Sequence, residues 1–228
     1  MNDFDFSAIS TSLPYLMQGL TYTVQLTVVA CLGGIFFGTL SALARLSSIK
    51  PLAMIAAGYV NLMRSIPLIL VIFWFYFLVP VVLQSVMGYE RPPQIGPARS
   101  AYITFIMFEA AFFCEIMRAG IQSIPKGQVA AAQALGLNYR LTMAKIVLPQ
   151  AFRNMLPVLL TQTIILFQDT SLVYVLSVTD FLGAASKIAQ RDSALVEMYT
   201  FVALVYLAIC FSLSMLVKAL QRKTQIIR

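Results

Sequence analysis

Asp169 stands inside a long apolar run, with Gln168 before it and Thr170 and Ser171 after it. Gln162 lies seven residues earlier, so on a helix it shares a face with Asp169. A carboxylate inside a bilayer costs about 2.5–3.5 kcal/mol on insertion scales, and needs a partner or water. Two readings stay open. Gln162, Gln168, Asp169, Thr170 and Ser171 could line a polar path, with Asp169 meeting an α-ammonium group. Alternatively Asp169 caps a helix break, accepting from the backbone N–H groups near Ser171 and Leu172. Arg64 has the bidentate donor geometry for a carboxylate. It could also be an interface arginine that snorkels or pairs with a partner chain. Glu109 could pair with Arg64 or with a group on a partner chain. Glu115 and Arg118 are spaced i, i+3, which permits a pair on one helix face. Enzyme chemistry finds no foothold. There is no histidine, and Cys31, Cys114 and Cys210 are too far apart for metal-ligand or disulfide spacing. A phosphate-binding loop ending in Gly-Lys-Ser/Thr is also absent, so the chain cannot hydrolyse ATP alone.

The elements that hold these residues are set by composition. Of 228 residues 60% are hydrophobic and 11% are charged, where a soluble domain carries roughly a quarter charged residues. No charge occurs between Asp5 and Arg45, between Arg64 and Glu90, or between Glu197 and Lys218. A spanning helix needs about 20 mostly apolar residues, so these gaps make three spans, and weaker signals give two more. The expected spans are 15–44, 53–82, 100–121, 149–178 and 198–217. Gly33, Gly34 and Gly38 in the first permit close helix contact. The second is too long for the hydrocarbon core, so it tilts or bends at Pro67, or only the part after Pro67 spans. Polar loops are expected at 84–99 and 179–197.

The net charge of +7 does not point to nucleic acid, because the basic residues collect at alternate loops rather than on one face. Arg45, Lys50, Lys126, Arg140, Lys145 and a C-terminal cluster fall on one side of the membrane. Asp3, Asp5, Glu90, Asp180, Asp192 and Glu197 dilute the basic residues on the other. The positive-inside rule then puts the N-terminus outside and the C-terminus in the cytoplasm. Asp3 and Asp5 also have the wrong sign for a secretory signal.

Residues 125–150 form a short helical pattern between two spans, on the cytoplasmic side. Pro125 and Gly127 open it, and Gly136 is placed to close it in a left-handed conformation. Val129, Ala132 and Leu135 make one narrow apolar stripe. Small residues leave a slim helix, which looks built to be gripped by a partner.

The run Ala130-Ala131-Ala132, three residues, Gly136, nine residues, then Ile146-Val147-Leu148-Pro149 resembles the "EAA" loop of permease subunits of bacterial ABC importers. It departs from that pattern at Ala130, where the family usually has glutamate. Gln128 with Ala134-Leu135-Gly136 is similar to the polar amino-acid branch. So are Arg64-Ser65-Ile66-Pro67-Leu68, Arg118-Ala119-Gly120-Ile121 and Phe167-Gln168-Asp169-Thr170-Ser171-Leu172. Phrases such as Phe73-Trp74-Phe75-Tyr76 and Phe108-Glu109-Ala110-Ala111 most resemble glutamate/aspartate import permeases of Gram-negative bacteria.

The resemblance implies an all-α membrane protein with the five transmembrane helices of the type I permease fold, in the bacterial inner membrane. It implies several partners: a second homologous permease, an ATPase dimer at the cytoplasmic face, and a periplasmic substrate-binding protein. ATP and Mg would be bound by the ATPase, with no cofactor on this chain. Gln128, Ala131, Ala132, Leu135 and Gly136 would couple to that ATPase. The alternatives are the same machine carrying glutamine or basic amino acids, or a self-contained secondary carrier in which Asp169 or Glu109 titrates a proton. Such carriers usually show two repeated halves, and five spans do not divide that way.

Overall fold

The computed structural model describes residues 7–224; Asp3, Asp5 and Arg228 lie outside the described residues. The chain is all helical, in the order α1 (Ser7–Arg45), α2 (Lys50–Ser65), α3 (Leu68–Met87), α4 (Pro97–Gln122), α5 (Lys126–Ala134), α6 (Tyr139–Leu176), α7 (Phe181–Arg191) and α8 (Leu195–Thr224). Among the described residues, α1, α3, α4, α6 and α8 are long and apolar enough to cross a membrane.

The centre of the bundle is the contact between α1 and α4. Lipid tails give no hydrophobic reason for two helices to associate, so close packing must hold them. Glycine supplies the closeness. A Cβ on Gly34 would lie 2.9 Å from the Glu109 Cβ and 2.9 Å from a Phe113 ring carbon. A Cβ on Gly38 would lie 2.9 Å from the Ala110 carbonyl oxygen. Around this seam, Leu26 and Ala30 of α1 meet Ala101, Phe105 and Phe108 of α4, with Val71 and Ile72 of α3 and Leu166 of α6.

The second expected span, 53–82, is two helices. α2 stops at Ser65, Ile66 and Pro67 are extended, and only α3, beginning at Leu68, has spanning length. A residue before proline is pushed out of the helical region, so Ile66 breaks the rod.

Proline acts differently at Pro80 and Pro149. Each follows a π turn, Trp74–Leu78 and Met143–Val147 respectively. The Val79 N–H bonds to the Trp74 carbonyl and the Leu148 N–H to the Met143 carbonyl, five residues back. Proline has no N–H, and its ring crowds the carbonyl four residues back; here those are Tyr76 and Lys145, both inside the widened turn. The helix therefore continues through the proline. The helix that carries the expected fourth span therefore starts before Pro149: α6 begins at Tyr139, where the Asn138 side chain accepts the Leu141 N–H at 3.0 Å. Likewise α1 begins at Ser7 and runs through Pro14, rather than after it.

The expected polar loop 179–197 holds a buried helix. Asp180 caps α7 by accepting from the N–H groups of Leu182 and Gly183, and the Phe181 N–H donates to Thr23 at 3.0 Å. Burial pushes the Asp180 carboxyl up to about 6, while the backbone donors pull it down. Phe181, Ala184, Ala185 and Ile188 then pack with Leu16 of α1 and Met198 and Val202 of α8. Gly19 admits this helix, since a Cβ there would sit 2.6 Å from the Asp180 carbonyl oxygen.

Thermal unfolding of the purified chain in detergent micelles tests the central seam. Gly34→Ala is expected to cost about 1–3 kcal/mol by overpacking. Gly58→Ala meets nothing within 4 Å and should be neutral or stabilising by up to ~1 kcal/mol, the ordinary helix-propensity difference. A Gly34→Ala protein as stable as its parent would contradict the packing argument.

Candidate functional site

The polar residues of the spans resolve into two separate constellations. The first is Glu109 with Gln162. Glu109 is fully buried against Gly34. Its carboxyl oxygens accept from the Gln162 amide at 3.1 and 3.4 Å. The expected partner, Arg64, is not there, because the α2 break leaves Arg64 beside Glu115 instead. Asp169, one helical face with Gln162, is half-buried. It makes no capping bond at the tight 170–176 turn that follows, which overturns the capping alternative, and no hydrogen bond or ion pair of Asp169 is found among the described residues. Ser171 is half-buried too. Thr170 turns back on its own helix, donating to the Phe167 carbonyl at 2.6 Å. Gln168 points elsewhere, exposed on the side of α6 that faces Ser214 and Lys218 of α8. The expected line of five polar residues therefore divides between two faces.

The second constellation gathers three guanidinium groups on one carboxylate. Arg45 at the end of α1 donates to Glu115 at 2.6 Å. Arg118 donates to the other Glu115 oxygen and to Gln122. Arg64 from the end of α2 lies 3.8 Å from Glu115, and its guanidinium carbon sits 5.6 Å over the Phe112 ring, within cation–π range. The expected Glu115–Arg118 pair is present but is half of the arrangement. Arg45 was legible only as a loop charge, since a partner seventy residues away leaves no local signal. Arg64, at 39% side-chain exposure, is the most open of the three and makes no bond short enough for a hydrogen bond to Glu115.

The loop helix α5 lies between the Gln122 end of α4 and the Tyr139 end of α6. Its inner face is fixed to the chain. Val129 packs on Ile124, Val147 and Ala151, Ala132 is buried, and the Gln128 side chain accepts from Gln150 at 2.6 Å. Leu135 does not continue this stripe. It leaves helical geometry at the cap and is 83% exposed, beside the exposed Ala130, Ala131 and Ala134. Gly136 follows at φ +80°. Its N–H bonds to Gln133 at 2.9 Å and the Leu137 N–H to Ala132 at 3.1 Å, the paired bonds of a glycine-closed helix end. Of the five residues expected to couple, Ala131, Leu135 and Gly136 are open to a partner, while Gln128 and Ala132 hold the helix in place.

A five-span helical bundle with an exposed slim helix at one end is the architecture of a transport subunit. Residues 34–226 match the family described as binding-protein-dependent transport system inner membrane component, and the chain belongs to that family. It is a multi-pass inner-membrane protein with the permease fold of type I ABC importers. Over 224 residues it is 53% identical to the glutamate/aspartate import permease protein GltK of Escherichia coli O157:H7, covering 98% of this chain and 100% of that one. It is 33% identical to the L-cystine transport system permease protein TcyB of Bacillus subtilis (strain 168), over 92% of this chain and 86% of the relative. Among solved structures, an amino acid ABC transporter crystallised with histidines superposes with a TM-score of 0.87 at 28% identity, covering 96% of this chain and 98% of that one.

Replacing Glu115 is expected to leave three cations uncompensated. Breaking a buried pair costs about 3–5 kcal/mol, and partial exposure here should reduce that to about 1–3 kcal/mol. A thermal melt of Glu115→Gln reads the loss, and the double variant with Arg64→Gln should regain part of it. Equal stability of parent and Glu115→Gln would mean the cluster holds nothing together.

Proposed function

We propose that the chain is the permease through which glutamate and aspartate cross the inner membrane, powered by a separate ATPase. The observation that carries the substrate is the 53% identity with GltK over the whole of both chains. The other substrates weighed, glutamine and basic amino acids, belong to more distant relatives: 32% for the arginine permease ArtQ and 31% for the glutamine permease GlnP. An acidic side chain needs a cation in its path, and Arg64 suits it, with open donors and a ring beneath it. Asp169, half-buried and without an ion pair among the described residues, suits the α-ammonium group. Glu109 and Gln162 then act as the buried brace between α4 and α6 behind them, with Thr170, Ser171 and Gln168 outside the contact.

In this reading the N-terminus faces the periplasm, where a substrate-binding protein delivers the amino acid. The end carrying Arg45, Lys126, Arg140 and Lys218 faces the cytoplasm, in keeping with the positive-inside rule. Ala131, Leu135 and Gly136 meet an ATPase dimer, which binds the ATP and Mg. A second permease subunit completes the pore.

Uptake of labelled glutamate into proteoliposomes holding the permease, its ATPase and its binding protein tests this. ATP-dependent uptake should be competed by aspartate and not by glutamine or arginine. Competition by arginine alone would overturn the substrate, and uptake without the ATPase would overturn the mechanism. Gly136→Asp should insert normally yet abolish transport-coupled ATP hydrolysis, because a side chain at φ +80° strains the cap by ~1 kcal/mol or more and adds a charge to the docking face. Arg64→Gln should raise the KM for glutamate at least about tenfold, the loss of one charge-assisted contact. Wild-type uptake in either variant would remove the role assigned to that residue.

A further inference from the structure

We propose that the groove between α6 and α8 is a binding site for an anionic phospholipid, with its phosphate at Lys218 and an acyl chain along Ile164, Ile165 and Val217. Two matching faces make the groove. Thr161, Ile164, Ile165 and Gln168 on α6 recur at i, i+3, i+4 and i+7, and so do Ser214, Val217, Lys218 and Gln221 on α8. Between them lies a cavity of about 320 Å³. The helices have not failed to pack. Behind the groove the Phe167 and Tyr206 rings stand 5.3 Å apart, and Ile164, Phe167, Cys210 and Val217 form one buried cluster. The opening is thus a cleft in front of a closed seam.

Its chemistry is graded along its length. Ile164, Ile165 and Val217 make an aliphatic floor, Thr161 and Ser214 add hydroxyls, Gln168 and Gln221 add amides, and Lys218 supplies a cation with no acid among the described lining residues. Lys218 is the first charge after the uncharged stretch 198–217. That stretch measures about 30 Å at 1.5 Å per residue, the thickness of the hydrocarbon core. Lys218 therefore sits where acyl chains give way to headgroups, and Arg222 follows one turn on. A phosphodiester with a net negative charge matches this end, and one hydrocarbon tail matches the floor of Ile164, Ile165 and Val217, beneath the polar rims of Ser214 and Gln168. A zwitterionic lipid lacks the net charge. An apolar helix of a partner would bury Lys218 without compensation. The solute path is not an alternative, because Gln162, which bonds to Glu109 of α4, and Asp169 lie on another face of α6.

The transporter, purified through a tag on this chain, would be titrated in mixed micelles with phosphatidylglycerol or phosphatidylcholine, and bound lipid counted by native mass spectrometry. One phosphatidylglycerol per chain is expected to survive where phosphatidylcholine does not. Lys218→Gln should cut retention about fivefold, the loss of one interfacial cation. Lys218→Arg should keep it, and Lys50→Gln, a charge lost elsewhere at the same end, should change nothing. Ser214→Phe should fill the groove and expel the lipid, which decides the matter if Lys218→Gln fails to assemble. Equal retention of both lipids, or undiminished phosphatidylglycerol on Lys218→Gln, would overturn the site. So would efficient cross-linking of Ser214→Cys to a neighbouring subunit, which would show that protein covers the groove.

Discussion

Everything in this bundle depends on how near α1 comes to α4. In a bilayer, helices gain nothing from hiding apolar surface from lipid, and the attraction left to them falls away steeply with distance. Gly34 and Gly38 let the two backbones meet where any larger residue would hold them apart. That contact sets Glu109 deep in the interior, leaving Gln162 of α6 as the group its carboxyl oxygens engage. The same seam brings Arg45 within reach of Glu115. The small residues and the charged ones therefore belong to one arrangement, in which tight backbone packing decides which polar groups can find each other.

The three guanidinium groups around Glu115 work against ordinary expectations for membrane interiors, where charge is normally balanced. Three elements meet there: the end of α1, the end of α2 and the last third of α4. A carboxylate that three cations share holds those elements in register while leaving net positive charge. The aromatic face of Phe112 and partial exposure of Arg64 spread that surplus.

Much of this was legible in the chain itself. Long runs without charge marked the crossings, and Gly136 announced its left-handed cap, because one-dimensional spacing is enough for both. The α1–α4 seam was visible in Gly33, Gly34 and Gly38, whereas Gly19 gave no hint, its partner α7 having been taken for a loop. The helix α7 was hidden because its apolar face is made largely of alanine and glycine, which read as loop between charged residues. The break at Pro67 was anticipated, whereas the span expected to begin near Pro149 lies on a helix that runs through that proline. Pro67 interrupts its helix, while the chain stays helical through Pro14, Pro80, Pro149 and Pro157, with a π turn before Pro80 and Pro149, and no residue type declares which proline will do which. Pairings were the hardest. Glu109 with Gln162 and Glu115 with Arg45 depend on which helices become neighbours, and that is decided by the whole bundle.

The unbroken length of α6 has a mechanical meaning. From Tyr139 to Leu176 its 38 residues stay helical, through the π turn at 143–147 and the tighter turns at 170–176, and it is joined near its start to α5 by Val129 and by the Gln128–Gln150 bond. A rigid beam gripped at one tip cannot yield there without swinging at the other. Displacement of α5 by a few ångströms would therefore tilt the far end, beside Thr170 and the buried start of α7. The bundle carries its own crankshaft, with α5 fixed beside one end and the start of α7 beside the other.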